Sequence, residues 1–109
     1  MAKHEFGIMP DAPAFGKRYD KYEPHRYSCI RVDDESLERA AERLQSIDCF
    51  WHTTDVPGKG LAYCGITLIP SSSLGAFLKV IRVFPDLSEL AKLLEEAEKE
   101  NRWVIHFGI

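Results

Sequence analysis

The sequence is poor in the features that announce a function. It has no tandem repeat, no low-complexity tract and no basic stripe. Its apolar runs fall far short of the ~20 residues that a bilayer-spanning helix requires, so no membrane partner is expected. The opening MAKHEFGIMPDAP lacks the apolar core and small-residue cleavage pattern of a secretory leader. Cysteine is scarce and odd in number. Cys29, Cys49 and Cys64 include no C-x-x-C pair, which argues against a disulfide framework or a zinc ribbon and for a reducing, cytoplasmic setting. The formal net charge of −3 and the missing basic stripe disfavour nucleic acid as a partner.

What is present suits one soluble domain. A chain of 109 residues with 45% apolar and 28% charged residues can build a core without a metal or a disulfide. Residues 1–25 differ from the rest. They hold three of the six prolines and the tyrosine-bearing run GKRYDKYEPHRY, and no period of 2 or 3.6 persists there. They read as an N-terminal arm packed on a domain of residues 26–109, with a short extended piece at HEFGI.

From residue 26 onward the pattern is regular. RYSCIRV alternates like a strand. In DDESLERAAERLQSI, Leu37, Ala40, Ala41, Leu44 and Ile47 form one face of a helix, with Asp33 or Asp34 as its cap. CFWHTT and LAYCGITLI are strand candidates, joined by DVPGKG, a turn by composition. SSSLGAFLKVIRVF reads as a second helix with Leu74, Phe77, Leu78 and Ile81 inward and Ser72 or Ser73 as cap. Pro85 then opens a third, DLSELAKLLEEAEKEN, with Leu87, Leu90, Ala91, Leu94 and Ala97 inward. WVIHFGI closes the chain as a strand. The order β-α-β-β-α(α)-β predicts an α+β, ferredoxin-like sandwich, with an antiparallel sheet ordered 4-1-3-2 and helices on one face.

The stretch HTTDVPGKGLAYCGIT offers three candidate chemistries. A nucleophilic triad would need Cys64, His52 and Asp55 together. With Pro57–Gly60 as a symmetric four-residue loop, His52 and Cys64 point to opposite faces and no triad forms. A three-residue loop with Gly60 as a bulge would shift the pairing and bring His52 beside Cys64. The PGKG run is no phosphate loop, because it opens a strand and not a helix. His4, His25, His52 and His106 show no ligand-pair spacing, so no metal or other cofactor is expected. No catalytic residue is assigned, and the balance leans away from an enzyme.

Alternation nominates a surface instead. Ile30, Val32, Ala62, Cys64, Ile66, Leu68, Trp103, Ile105 and Phe107 are expected to face the helices. The other sheet face then carries Tyr27, Cys29, Arg31, His52, Tyr63, Thr67 and His106. The N-terminal arm, through Phe6, Phe15, Tyr19 and Tyr22, could cover that face. So could a second copy, making a homodimer through the sheet or the arm, or a small anionic ligand held by Arg31 and His106. The expected function is a non-enzymatic binding or regulatory module that self-associates or captures a protein partner through that face. The alternative is a small enzyme or anionic-ligand sensor with a His/Arg/Tyr site there.

The segments HEFGIMP, WHTTDVPGKGLAYCGITLIP and HFGI resemble a group of small, uncharacterised bacterial cytoplasmic proteins. That resemblance spans nearly the whole chain. It implies no activity and carries over no site residue; it implies only that the first 25 residues belong to the domain.

Overall fold

The computed structural model describes residues 3–109. Six strands form one sheet: β1 (Lys3–Ile8), β2 (Ile30–Asp33), β3 (Asp48–Trp51), β4 (Pro57–Lys59), β5 (Ile66–Ile69) and β6 (Val104–Phe107). Three helices, α1 (Asp34–Leu44), α2 (Leu74–Ile81) and α3 (Ser88–Lys99), complete the architecture.

The helices lie where the 3.6-residue period puts them. Leu37, Ala40 and Leu44 of α1, the quartet Leu74, Phe77, Leu78 and Ile81 of α2, and Leu90, Leu94 and Ala97 of α3 are all buried. Pro85 starts a short 3-10 turn that leads into α3, a position where its missing N–H costs nothing. Ser73 does not cap α2; its hydroxyl donates to the Asp48 carbonyl at 2.6 Å and ties the helix to β3.

The sheet is not the one expected. Every pairing is antiparallel, but the order is β2-β1-β6-β5-β3-β4, so the four-stranded 4-1-3-2 ferredoxin-like arrangement is wrong. Two local features account for the difference. First, HEFGI is not a minor extended piece. β1 pairs with β2 on one edge and β6 on the other, deep in the sheet. Second, Pro57, Gly58 and Lys59 are not a turn. They form β4, which pairs back on β3 with Phe50 opposite Pro57 and Asp48 opposite Lys59. A proline is tolerated there because β4 is an edge strand. The chain turns one step earlier, at residues 52–56, where His52 takes a left-handed φ of 65° and leaves the strand. Glycine at position 58 is required by a close approach: a Cβ there would run into the Trp51 ring. Residues 61–64 precede β5 and do not join it, so the symmetric hairpin register does not exist.

Both sheet faces are covered. On one side Phe6, Val32, Cys49, Ile69 and Val104 pack against the helices. On the other, Ile66, Leu68, Ile105 and Phe107 pack with Met9, Tyr19, Tyr27 and Trp103. The segment between β1 and β2 therefore crosses the helix-free face. Tyr22 meets the Phe107 ring edge-on at 5.6 Å, and its hydroxyl donates to the buried Glu5 carboxylate. Phe15, expected to help cover this face, is 93% exposed.

This double cover reverses the expected parity of two strands. Ile66, Leu68, Ile105 and Phe107 turn away from the helices, and Trp103 packs with them. Thr67 and His106 turn toward the helices and are completely buried. Ala62 and Cys64, expected in the core, lie before β5, and Cys64 is exposed. Where both faces are apolar, alternation separates two faces without saying which one meets the helices.

A variant lacking residues 1–9 is expected to lose cooperative folding, because it removes a strand paired on both edges together with the fully buried Phe6. Circular dichroism melting and amide-proton NMR dispersion test this. A truncated chain that still melts cooperatively with dispersed amides would contradict the central place of β1.

Candidate functional site

The reversed parity turns Thr67 and His106 toward the helices, where β1 places His4 beside them. His4 of β1 and His106 of β6 are buried side by side on the helix side of the sheet, with His4 Nδ1 2.8 Å from His106 Nε2. The line continues at both ends. His4 Nε2 lies 2.9 Å from Asp34 Oδ1, and His106 Nδ1 lies 3.2 Å from Thr67 Oγ1. The Ala62 N–H donates to that same Thr67 oxygen at 2.8 Å, and the Tyr63 hydroxyl donates to the Asp34 carboxylate at 2.7 Å. The Phe6 ring sits 4.8 Å from that of His106 and seals the pair from below.

One assignment of donors and acceptors pairs every group in the line: Thr67 donates to His106 Nδ1, His106 Nε2–H to His4 Nδ1, and His4 Nε2–H to Asp34. The Thr67 oxygen meanwhile accepts the Ala62 N–H, so its hydroxyl proton is directed to His106. Among the described residues no buried side-chain nitrogen or oxygen lacks a partner.

The charges follow from this geometry. The Tyr63 hydroxyl and then His4 hold the Asp34 carboxyl below the usual carboxylate range. The same hydrogen bond raises the Tyr63 phenol to about 12. Burial, and then the neighbouring His4, push His106 well below its ordinary 6.5, so its ring stays neutral in the fold.

Asp34 is the first residue of α1, a position whose local sequence suggests only a helix cap. No side-chain cap bond forms at this terminus; Asp33 pairs with Lys3, and Asp34 turns to His4 and Tyr63. Beside them opens a cavity of about 160 Å³. Leu37, Ala41, Leu44 and Leu61 wall it, and His4, Asp34, Glu38 and Tyr63 provide its polar edge.

Of the seven residues nominated from sequence, the structure unites Tyr63, Thr67 and His106 in this line, on the face opposite to the one expected. The other four lie elsewhere. Tyr27 packs on the outer face, 6.1 Å from the Phe107 ring. Cys29 lies over Gly7, its thiol pushed up to about 12 by burial and by Glu5. Arg31 is 72% exposed, 3.9 Å from Glu5. His52 is oriented by Asp20, with Nδ1 3.0 Å from the carboxylate, and by the Tyr19 carbonyl at 3.2 Å. Asp55 is not its partner; its N–H donates to the Thr53 hydroxyl. Among the described residues no set of three or more His, Cys, Asp or Glu side chains is placed to hold a metal ion.

His4 and Asp34 were missed as site residues. A signal for His4 exists in KHEFGI, where His4, Phe6 and Ile8 alternate as one strand face. Comparisons with protein-family models, with curated proteins and with solved structures give no match.

The buried pair makes stability depend on pH with a defined sign. His106 is held neutral in the fold but binds a proton near 6.5 when unfolded. Below that pH the unfolded state binds the extra proton, so stability present above about 6.5 falls as the solution is acidified, by up to about 1.4 kcal/mol per pH unit. His106→Phe is expected to flatten this slope between about pH 6.5 and 5 relative to the parent. It should also cost about 1–3 kcal/mol at neutral pH, because His4 and Thr67 lose their partner. Urea unfolding across a pH series measures both; equal slopes in the two proteins would contradict a neutral buried His106.

Proposed function

We propose that this protein is a non-enzymatic binding module for a small cationic ligand with an apolar tail, taken up in the cavity beside α1. The observation that carries this is the composition of the cavity's edge. It offers the carboxylates of Asp34 and Glu38, no lysine or arginine, and aliphatic walls. Asp34 is held anionic by its two donors. An ammonium group could join them as a further donor, with its alkyl part along Leu37, Leu44 and Leu61. The volume is well below the ~300 Å³ at which drug-sized pockets begin, which favours a ligand of a few carbons.

Binding fits this geometry better than catalysis. Both nitrogens of His4 are engaged inside the protein, so no free imidazole nitrogen faces the cavity. Asp34 is a weak base for the same reason that it is a good counter-ion. The hydrogen-bonded line behind it gives the site a reporter: charge arriving at Asp34 acts on His4 and through it on His106. The helix-free face on which an interaction was first expected is occupied by the chain's own residues between β1 and β2.

Butylammonium, butanol and butyrate are the probes that separate these properties. Titration followed by the imidazole nitrogen resonances of His4 and His106 should show saturable binding of butylammonium only. Asp34→Asn should weaken that binding about tenfold or more, the worth of one charge-assisted contact. Equal binding of butanol or butyrate, or no imidazole response to butylammonium, would refute the proposal.

A further inference from the structure

The outer side of the molecule has the opposite charge character. Lys17, Arg18, Lys21 and Arg26 line a cleft of about 300 Å³ whose only carboxylates are Asp20 and Glu23, with Ile105 of the sheet and Tyr27 as apolar lining. All four cations lie within residues 17–26, so the cluster is local to one segment of a chain whose net charge is −3. Two of the four cations are held in place. Arg18 is clasped by Asp20 at 3.0 Å, and Arg26 approaches Glu23 at 3.8 Å across one turn. Among the described residues no carboxylate pairs with Lys17 or Lys21, and the Lys17 ammonium stands 5.0 Å over the Tyr19 ring. The cleft thus has an excess of two positive charges, both on side chains free to close on a ligand.

A second cavity of about 210 Å³ adjoins the first and shares Lys17, Tyr19, Arg26 and Tyr27 with it. Its remaining lining is Met9, Pro10, Ala12 and Ala14 with the carboxylate of Asp11, so the joined recess keeps a net positive charge, with Asp11 at its apolar end. The pair forms one recess with a cationic end and an apolar end. The surrounding backbone is braced: the Tyr19 N–H donates to the His52 carbonyl at 2.6 Å, the Tyr19 hydroxyl accepts the Ala14 N–H at 3.2 Å, and a 3-10 turn over Pro24–Tyr27 presents Arg26.

We propose that this recess is a second binding site, for a small soluble phosphomonoester with a flat or apolar body. A phosphomonoester carries between one and two negative charges near neutral pH and offers three acceptor oxygens, which match the two unpaired ammoniums and the two fixed guanidiniums. Its organic part would lie along Tyr27, Met9 and Ala12. An ammonium ligand is disfavoured here, and a phosphomonoester is disfavoured by the carboxylates beside α1, so the two sites select opposite charges.

Phenyl phosphate is the probe, with inorganic phosphate as comparator, measured by calorimetry on the full chain at low salt. Saturable binding of phenyl phosphate is expected, with inorganic phosphate weaker by about threefold or more for want of the apolar contact. Lys17→Glu combined with Lys21→Glu changes two exposed side chains and should weaken phenyl phosphate by about tenfold or more while leaving the melting curve in place. Asp34→Asn should leave it unchanged, which separates this site from the one beside α1. No saturation, equal affinity in the double variant, or equal affinity for inorganic phosphate would each overturn the proposal. So would binding to phosphatidic acid vesicles without binding to phenyl phosphate, which would assign the cations to a lipid surface.

Discussion

The antiparallel pairing of β1 with β6 joins the two ends of the chain, and the other features depend on it. Glu5 lies opposite Phe107, Phe6 opposite His106, Gly7 opposite Ile105 and Ile8 opposite Val104. This register places His4 within reach of His106 and lets Phe6 cover the imidazole. β1 also holds β2 on its far edge, and β2 leads directly into α1, which supplies Asp34. The polar line Asp34–His4–His106–Thr67 therefore draws on α1, β1, β6 and β5, and it cannot form unless all four are in place. Burying two imidazoles is tolerated because each nitrogen has a partner, and a fully satisfied network of this kind favours one arrangement over its neighbours.

A sheet covered on both faces separates two electrostatic environments. On the helix side, α1 brings acidic residues to the cavity edge, and Asp34 is kept ionised by donors from β1 and the approach to β5. On the other side, the segment after β1 carries all of its lysines and arginines into one recess above Ile105. Glu5 marks the boundary on the outer face: its buried carboxylate receives the Tyr22 hydroxyl and lies near Arg31, which anchors the covering segment without leaving a bare charge. A modest net charge thus conceals an acidic pocket and a basic cleft separated by the sheet.

The helices were legible in the sequence because a 3.6-residue stripe is a local property, and Leu37, Ala40, Leu44, Leu90 and Leu94 meet the core wherever the rest of the chain goes. Tyr63, Thr67 and His106 stand out in the sequence as polar or aromatic residues among apolar strands, but alternation alone puts them on the opposite sheet face. Their company with His4 and Asp34 was not legible. His4 sat in a segment without sustained periodicity, and Asp34 had a sufficient local explanation as a helix cap. The turn at Pro57–Gly60 was misplaced because proline and glycine favour turns on average, whereas here an edge strand accepts the proline and the Trp51 ring needs the glycine.

By itself, the sequence determined three helices with their buried faces, the extended character of 30–32, 49–51, 66–69 and 104–107, and the lack of any cysteine pattern for a disulfide framework. Only the tertiary structure decided which strands are neighbours, which face of β5 and β6 meets the helices, and hence that His106 belongs beside His4. The reason is the range of the forces. Helix formation and its apolar stripe are set by residues three and four apart, whereas strand order and register are set by pairing across long stretches of chain. A strand that is apolar on both faces leaves its orientation to whatever packs against it, and here that is three helices on one side and the segment from Met9 to Cys29 on the other.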